Sequence, residues 1–433
     1  MTSPSDIAPV VAPVRGHTCR ELYKAIFESD VPEQMVRQLP AQSLYMVVKE
    51  IGLATACDLL SLASLEQIRL LSDLDLWHGD VLDEERMWEW LSLADEGDSL
   101  EILQKVLKCI DLKLVSILIS KYVEVQVFEE STDNPPAPGF YTPDKGFTWI
   151  GIKLENEDQH FLLARLLALI FETSTELFYQ LLSVPSVATV SMLEEEGFTE
   201  RTKRLAAEGV PEPEVAATIH APYSLQEALN DLTREQPHVV VEDVRAVEPM
   251  LYEARATKYF SELMQGSHAH DVLAMEFTYL VNAAIVRFGV DFGDQESVLF
   301  LCQKIKGAVN IGLEKVLSEN SHSLESVYTT LGLEKLYRLG LAELMALRTT
   351  ARKVTLEQAE SFKDSDASLF SIVACAREPF PCMPMFLEDD GSVSDEQGAL
   401  PTGERAIETL AGVRAVGNLL EGFLARLVQE SAS

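Results

Sequence analysis

Residues 39–76 read LPAQSLYMVVKEIGLATACDLLSLASLEQIRLLSDLDL, and apolar side chains recur in them every three or four positions. Leu44, Val47, Val48 and Ile51 form one set, Leu59, Leu60 and Leu62 a second, and Ile68, Leu70, Leu71 and Leu74 a third. That spacing places each set on one face of a helix. Ser64 with Gln67 fits a capping box, in which the hydroxyl accepts an orphan backbone N–H and the later side chain bonds back to the cap. Thr18 with Glu21 repeats the signal upstream, and Pro32 and Pro40 suit first-turn positions, where a missing N–H costs nothing. Asp98 with Glu101, and Asp111 before Leu112, open two more helices. The blocks start about a dozen residues apart, closer than the usual two-helix repeats. A superhelical array of single short helices over 18–122 is the expectation.

Downstream the texture changes. Tyr122 to Glu130 (YVEVQVFEE) alternates Val with polar residues, Phe147 to Leu154 (FTWIGIKL) is rich in β-formers, and STDNPPAPGFYTPDKG between them carries turn residues. A β-hairpin with a long connection over 123–154 follows, with one further short strand at Val239 to Val241. Helices resume over 155–235, with capping boxes at Thr173 and Glu176 and at Ser224 and Glu227. The stretch DVLAMEFTYLVNAAIVRFG, residues 271–289, is apolar nearly all round, which marks a buried helix. Helices over 297–318, 323–331 and 333–353 complete a buried bundle spanning 236–376. Residues 377–401 are rich in Pro and acid, and helices return over 402–433. Residues 1–17 read as a disordered tail with no secretory signal. The fold class is therefore mainly α: a short-helix superhelical array, a β-hairpin, then a second helical bundle.

Composition narrows function. The chain has 433 residues, 47% of them hydrophobic, enough to bury real cores. Against 35 Lys and Arg stand 69 Asp and Glu, a formal net charge of -34. Such a surface repels phosphate backbones and anionic lipid, so neither nucleic acid nor a membrane surface suits it. The apolar run from Phe161 to Val184 is broken by Arg165, Glu172 and Glu176, which argues against membrane insertion. Six cysteines without a C-x-x-C pair read for the most part as free thiols in a reducing, cytoplasmic compartment.

Three clusters carry candidate chemistry. Between Asp73 and Glu101, eleven acidic residues face the single cation Arg86. Hard divalent cations favour such oxygen donors, and Asp73, Asp75 and Asp80 are metal-ligand candidates. DLDLWHGDVLDE sets Asp73, Asp75 and Glu84 at the first, third and twelfth places of a calcium loop, but Trp77 and His78 stand where a ligand and the turn glycine belong. The competing reading is a solvated acidic face, with Asp83 capping the helix that carries Trp88 and Trp90. His268, His270 and Asp271 crowd imidazoles and a carboxylate before the buried helix, as ligands for a transition metal or simply as its cap. Glu276 and Arg287 lie on that helix as a structural ion pair or as catalytic groups. Cys375 and Cys382, straddling Pro379 and Pro381, are candidates for a metal, a disulfide or plain buried thiols. Phosphate-binding glycine loops, a nucleophile elbow and H-E-x-x-H are all absent, and Asp291-Phe292-Gly293 has none of the other kinase motifs around it.

The stretch from Leu39 through LASLEQIRLLSDLDLWHGDVLDEERMWEWL, with YTPDKGFTWIGI, LVNAAIVRFGVDFGDQES and LEKLYRLGLAEL, resembles an uncharacterised bacterial family, a domain of unknown function. The resemblance samples most of residues 30–340 and implies no activity. The N-terminal array also resembles the cytosolic N-terminal domain of magnesium transporters, whose membrane part has no counterpart here. Two functional readings stand. One is a cytoplasmic interaction or scaffold protein that offers an acidic helical array to a protein partner, in keeping with the absence of catalytic motifs. The other is a metal-dependent enzyme or divalent-cation sensor.

Overall fold

A computed structural model describes residues 19–93, 112–186, 188–234, 258–266, 270–361, 367–394 and 401–431. The chain divides into two compact units, Met1–Leu205 and Ala206–Ser433.

The first unit opens with the short helices Cys19–Glu28, Pro32–Gln38, Ala41–Ile51, Cys57–Leu62 and Leu65–Asp75. Their apolar faces meet through Leu22, Ile26, Val36, Leu44, Leu59 and Leu71, all at most 1% exposed. Ser64 and Gln67 form the expected capping box. Gln67 goes further, donating from Nε2 to the carbonyls of Val36 at 2.7 Å and Leu39 at 2.8 Å. One side chain thus starts its own helix and satisfies the end of another, where an unmade buried bond costs about 1–3 kcal/mol. Pro32 holds the first turn of its helix, whereas Pro40 stands one place earlier, as the cap residue.

The calcium-loop stretch is not a loop. Asp73 and Asp75 end the Leu65–Asp75 helix, and Trp77–His78 pairs antiparallel with Val81–Leu82 around a two-residue turn. Asp83 caps Glu84–Ser92, accepting from the Arg86 N–H at 3.0 Å, as its position before Trp88 and Trp90 leads one to expect. Next among the described residues is Leu112–Tyr122, which leads into the hairpin of Val123–Val127 and Thr148–Ile152. Glu157–Thr173, Thr175–Ser183 and Val190–Ala207 follow. Ser174, rather than Thr173, caps the second of these, because Thr173 is still helical and the N–H of Leu177 reaches the Ser174 hydroxyl.

The second unit is organised by Gln295–Glu319 and Leu324–Ala351. These cross with backbones in contact: a Cβ added to Gly312 would lie 2.1 Å from the Leu336 carbonyl oxygen, and one added to Gly340 would lie 1.8 Å from that of Ala308. The second helix breaks at Gly332 (φ 67°), between the helices expected over 323–331 and 333–353. Around this pair stand Pro213–Ile219, Leu225–Arg234, Lys258–Gly266, His270–Phe288, Leu356–Ser361, Ala367–Arg377 and Leu410–Ser431. Ser224 and Glu227 form their reciprocal cap before Leu225. Met383–Pro384 pairs with Glu404–Arg405, so two very short ladders accompany the hairpin that alternation reveals. Two or three residues are too few to show a period of two. Residues 1–18 (and with them the Thr18 cap), Asp95, Glu96, Asp98, Glu101, Asp111 and Val239 to Val241 lie outside the described residues.

Candidate functional site

The acidic stretch resolves into side chains of different kinds. Asp73 and Asp75 are 3% and 4% exposed. Both carboxylate oxygens of Asp73 accept from the Arg204 guanidinium at 2.7 Å, and its carbonyl accepts from Arg201 Nε at 2.5 Å. Asp75 accepts from the Tyr45 hydroxyl at 3.0 Å, and from Arg86 Nε and Trp90 Nε1 at 2.7 Å each, with Lys49 Nζ at 3.6 Å. Burial pushes the Arg201 guanidinium down to about 10, and the neighbouring Arg204 adds to this against the pull of Asp73. It stays charged at neutral pH, lying over the rings of Trp77 and Phe198. Asp80 is exposed at the tip of the turn. Two of the three acidic metal candidates are thus the anionic centre of a buried ion network. The cations Arg201 and Arg204 lie about 130 residues away in sequence, beyond the reach of any local charge count.

In the second unit, Glu276 accepts from the Tyr328 hydroxyl at 3.1 Å and from the Leu333 N–H at 3.4 Å. It therefore supports the helix start that the Gly332 break creates. Arg287 is exposed. Eleven residues along one helix separate it from Glu276 by about 16 Å, so their common side does not make them a contacting pair. His268 lies outside the described residues, and His270 and Asp271 begin the His270–Phe288 helix.

The hairpin offers a surface of another character. Its long connection is pinned by Asp144, which accepts from the backbone N–H groups of Phe147 and Thr148 at 3.1 and 2.7 Å and from the Tyr179 hydroxyl at 2.9 Å. Burial alone would raise the Asp144 carboxyl, but hydrogen bonds from Thr148, Tyr179 and Thr142 hold it below its usual value. The connection then returns along Thr148–Ile152: Tyr141 and Ile150 exchange backbone bonds at 3.0 and 2.9 Å, with Val125 facing Ile150 from the other side. One strand is flanked twice. The other, Val123–Val127, keeps an edge with no ladder partner among the described residues. At the end of this ladder that runs into the connection, where the Phe128 N–H donates to the Phe147 carbonyl at 2.8 Å, Val127 is 74% exposed, Phe147 46% and Phe128 37%. Glu129, Glu130 and Asp133 follow, exposed and with no ion pair among the described residues. Alternation reveals the strands, but which edge stays open depends on where Tyr141 lands.

Residues 4–371 match a family of unknown function, DUF6178. The chain belongs to that family. The resemblance carried by the short-helix and hairpin stretches is thereby shown over most of the chain. No curated protein and no solved structure matches the chain, so the likeness of the array to magnesium-transporter domains rests on sequence pattern alone. Among the described residues, no helix is long and apolar enough to cross a membrane.

Proposed function

We propose that this DUF6178 protein is an interaction protein, and that the Val123–Val127 edge receives an extended, basic segment of a protein partner. The open edge carries the reading. An unpaired strand presents alternate N–H and C=O groups ready for another strand, and proteins normally cover or guard such edges. Two further features set the chemistry of the occupant. The exposed Val127, Phe128 and Phe147 ask for apolar side chains, and Glu129, Glu130 and Asp133 favour Lys or Arg beside them. The net charge of -34 points the same way and disfavours nucleic acid. The cytoplasm is the proposed location, since the described cysteines are thiols.

The test is a photo-crosslinking amino acid at position 127, with position 192 as the control because Met192 is also exposed. Adducts from position 127 are expected to map to an extended basic segment, to be absent from position 192, and to weaken when Glu129 and Glu130 are both changed to Lys. Equal adducts at both positions, none at position 127, or adducts indifferent to the charge reversal would overturn the proposal.

A further inference from the structure

Outside the hairpin, the described residues bring together one group of soft and anionic donors. The Sγ atoms of Cys375 and Cys382 and a carboxylate oxygen of Glu404 all lie within 4.8 Å of one another. Cys382 Sγ is 3.3 Å from Glu404 Oε2. Both cysteines are buried, at 4% and 0% exposure, while Glu404 reaches the group from the exposed side.

Local backbone fixes all three. Cys375 lies in the last turn of Ala367–Arg377, and the Cys382 N–H bonds back to the Cys375 carbonyl at 3.2 Å, closing the Pro-containing loop between them. Lys304 Nζ holds the same loop by donating to the Phe380 carbonyl at 3.0 Å. Cys382 directly precedes Met383–Pro384, whose ladder partner is Glu404–Arg405, with Pro384 opposite Glu404. Strand pairing therefore delivers a carboxylate from 22 residues downstream to the thiol. The adjacent cation, Arg405, turns away to the Leu387 carbonyl and Asp389. The Glu404 carboxylate has no ion-pair partner among the described residues, and its one hydrogen-bond contact is the thiol.

We infer that Cys375, Cys382 and Glu404 form a binding site for a soft divalent cation of the zinc class, with a fourth coordination position open toward solvent. The donor set suits such an ion. Two thiolates and one carboxylate satisfy its preference for sulfur with one oxygen, whereas calcium and magnesium take oxygen alone. Zinc–sulfur and zinc–oxygen bonds of about 2.3 and 2.1 Å place tetrahedral ligand atoms roughly 3.6 to 3.8 Å apart, so the group needs only small shifts. On binding, each thiol releases its proton to solvent and the two thiolates and the carboxylate close on the cation. The site lies beyond the residues matched by the family and is independent of the hairpin proposal.

The test uses the reduced, metal-stripped full-length chain titrated with Co2+ alone, then with Zn2+. One equivalent of Co2+ is expected to produce a thiolate-to-metal charge-transfer band in the near ultraviolet and the intense visible bands of a tetrahedral ion, both abolished by Zn2+. Cys375→Ser and Cys382→Ser should each lose much of the charge-transfer band. Glu404→Gln, at an exposed side chain that leaves the fold in place, should keep the band and weaken Co2+ binding roughly tenfold or more. Absence of the band in the wild-type chain would overturn the assignment. A band untouched by the two Ser substitutions would assign the metal to other thiols, and unchanged affinity in Glu404→Gln would remove the carboxylate from the ligand set.

Discussion

The two units solve the problem of a buried interior in different ways. The first places charge inside it: Asp73 and Asp75 are buried and held by arginines, a lysine, a tyrosine and a tryptophan from several helices. The second brings backbone against backbone at Gly312 and Gly340 and surrounds that crossing with apolar side chains. Even its buried cation, Lys306, lies against the rings of Phe260 and Phe277 at 5.5 and 5.4 Å. A charged interior is specific in its partners and fails when one is removed. A close-packed crossing is specific in volume and fails when an atom is added.

This contrast is broken most severely in the first unit. Asp75→Ala should cost about 3 kcal/mol, because the buried Trp90 N–H would lose its acceptor and the half-buried Arg86 would keep only Glu89. Calorimetry should show the loss as a lowered melting temperature, and an unchanged melting profile would mean that the network is ornamental. Gly340→Ala should cost about 3 kcal/mol in the second unit, since its methyl group meets a backbone carbonyl that cannot swing aside. If the same substitution is tolerated within a few tenths of a kcal/mol, the two helices do not cross with their backbones in contact.

A smaller effect sharpens the contrast by pH. Burial pushes His220 down to about 4, with Arg287 adding to this against its bond to the Ala216 carbonyl, and Phe288 and Tyr337 flank the ring. Its folded pKa lies below the unfolded value of 6.5, so its contribution is full above that pH and is lost as pH falls toward 4. By pH 4.5 the second unit should lose about 2 kcal/mol on this account. Denaturation at pH 7 and 4.5 checks it: His220→Gln should abolish that share of the difference, and an equal loss in the variant would assign the effect to carboxylates.

Much of the helical framework was legible because periodicity and capping are local. Ser64 with Gln67, Asp83, Ser224 with Glu227 and the break at Gly332 all act within a turn or two of themselves. The acidic belt was legible only as composition. Its local count of eleven acids to one arginine contained no hint that Arg201 and Arg204 would come to Asp73 from another helix. The cysteine pair stood out by spacing, but Glu404 did not, since the strand that positions it is two residues long.

The sequence by itself determined that the chain is mainly helical, several of its helix caps, that a hairpin interrupts the helices, and that the chain is strongly acidic. Those properties depend on side chains a few residues apart and on simple addition of charge. Tertiary structure alone decided which acids are buried in ion pairs, which strand keeps an open edge, and which carboxylate joins the two thiols. Each of these depends on a partner brought from a distant position, and distance in space is set by packing rather than by order along the chain.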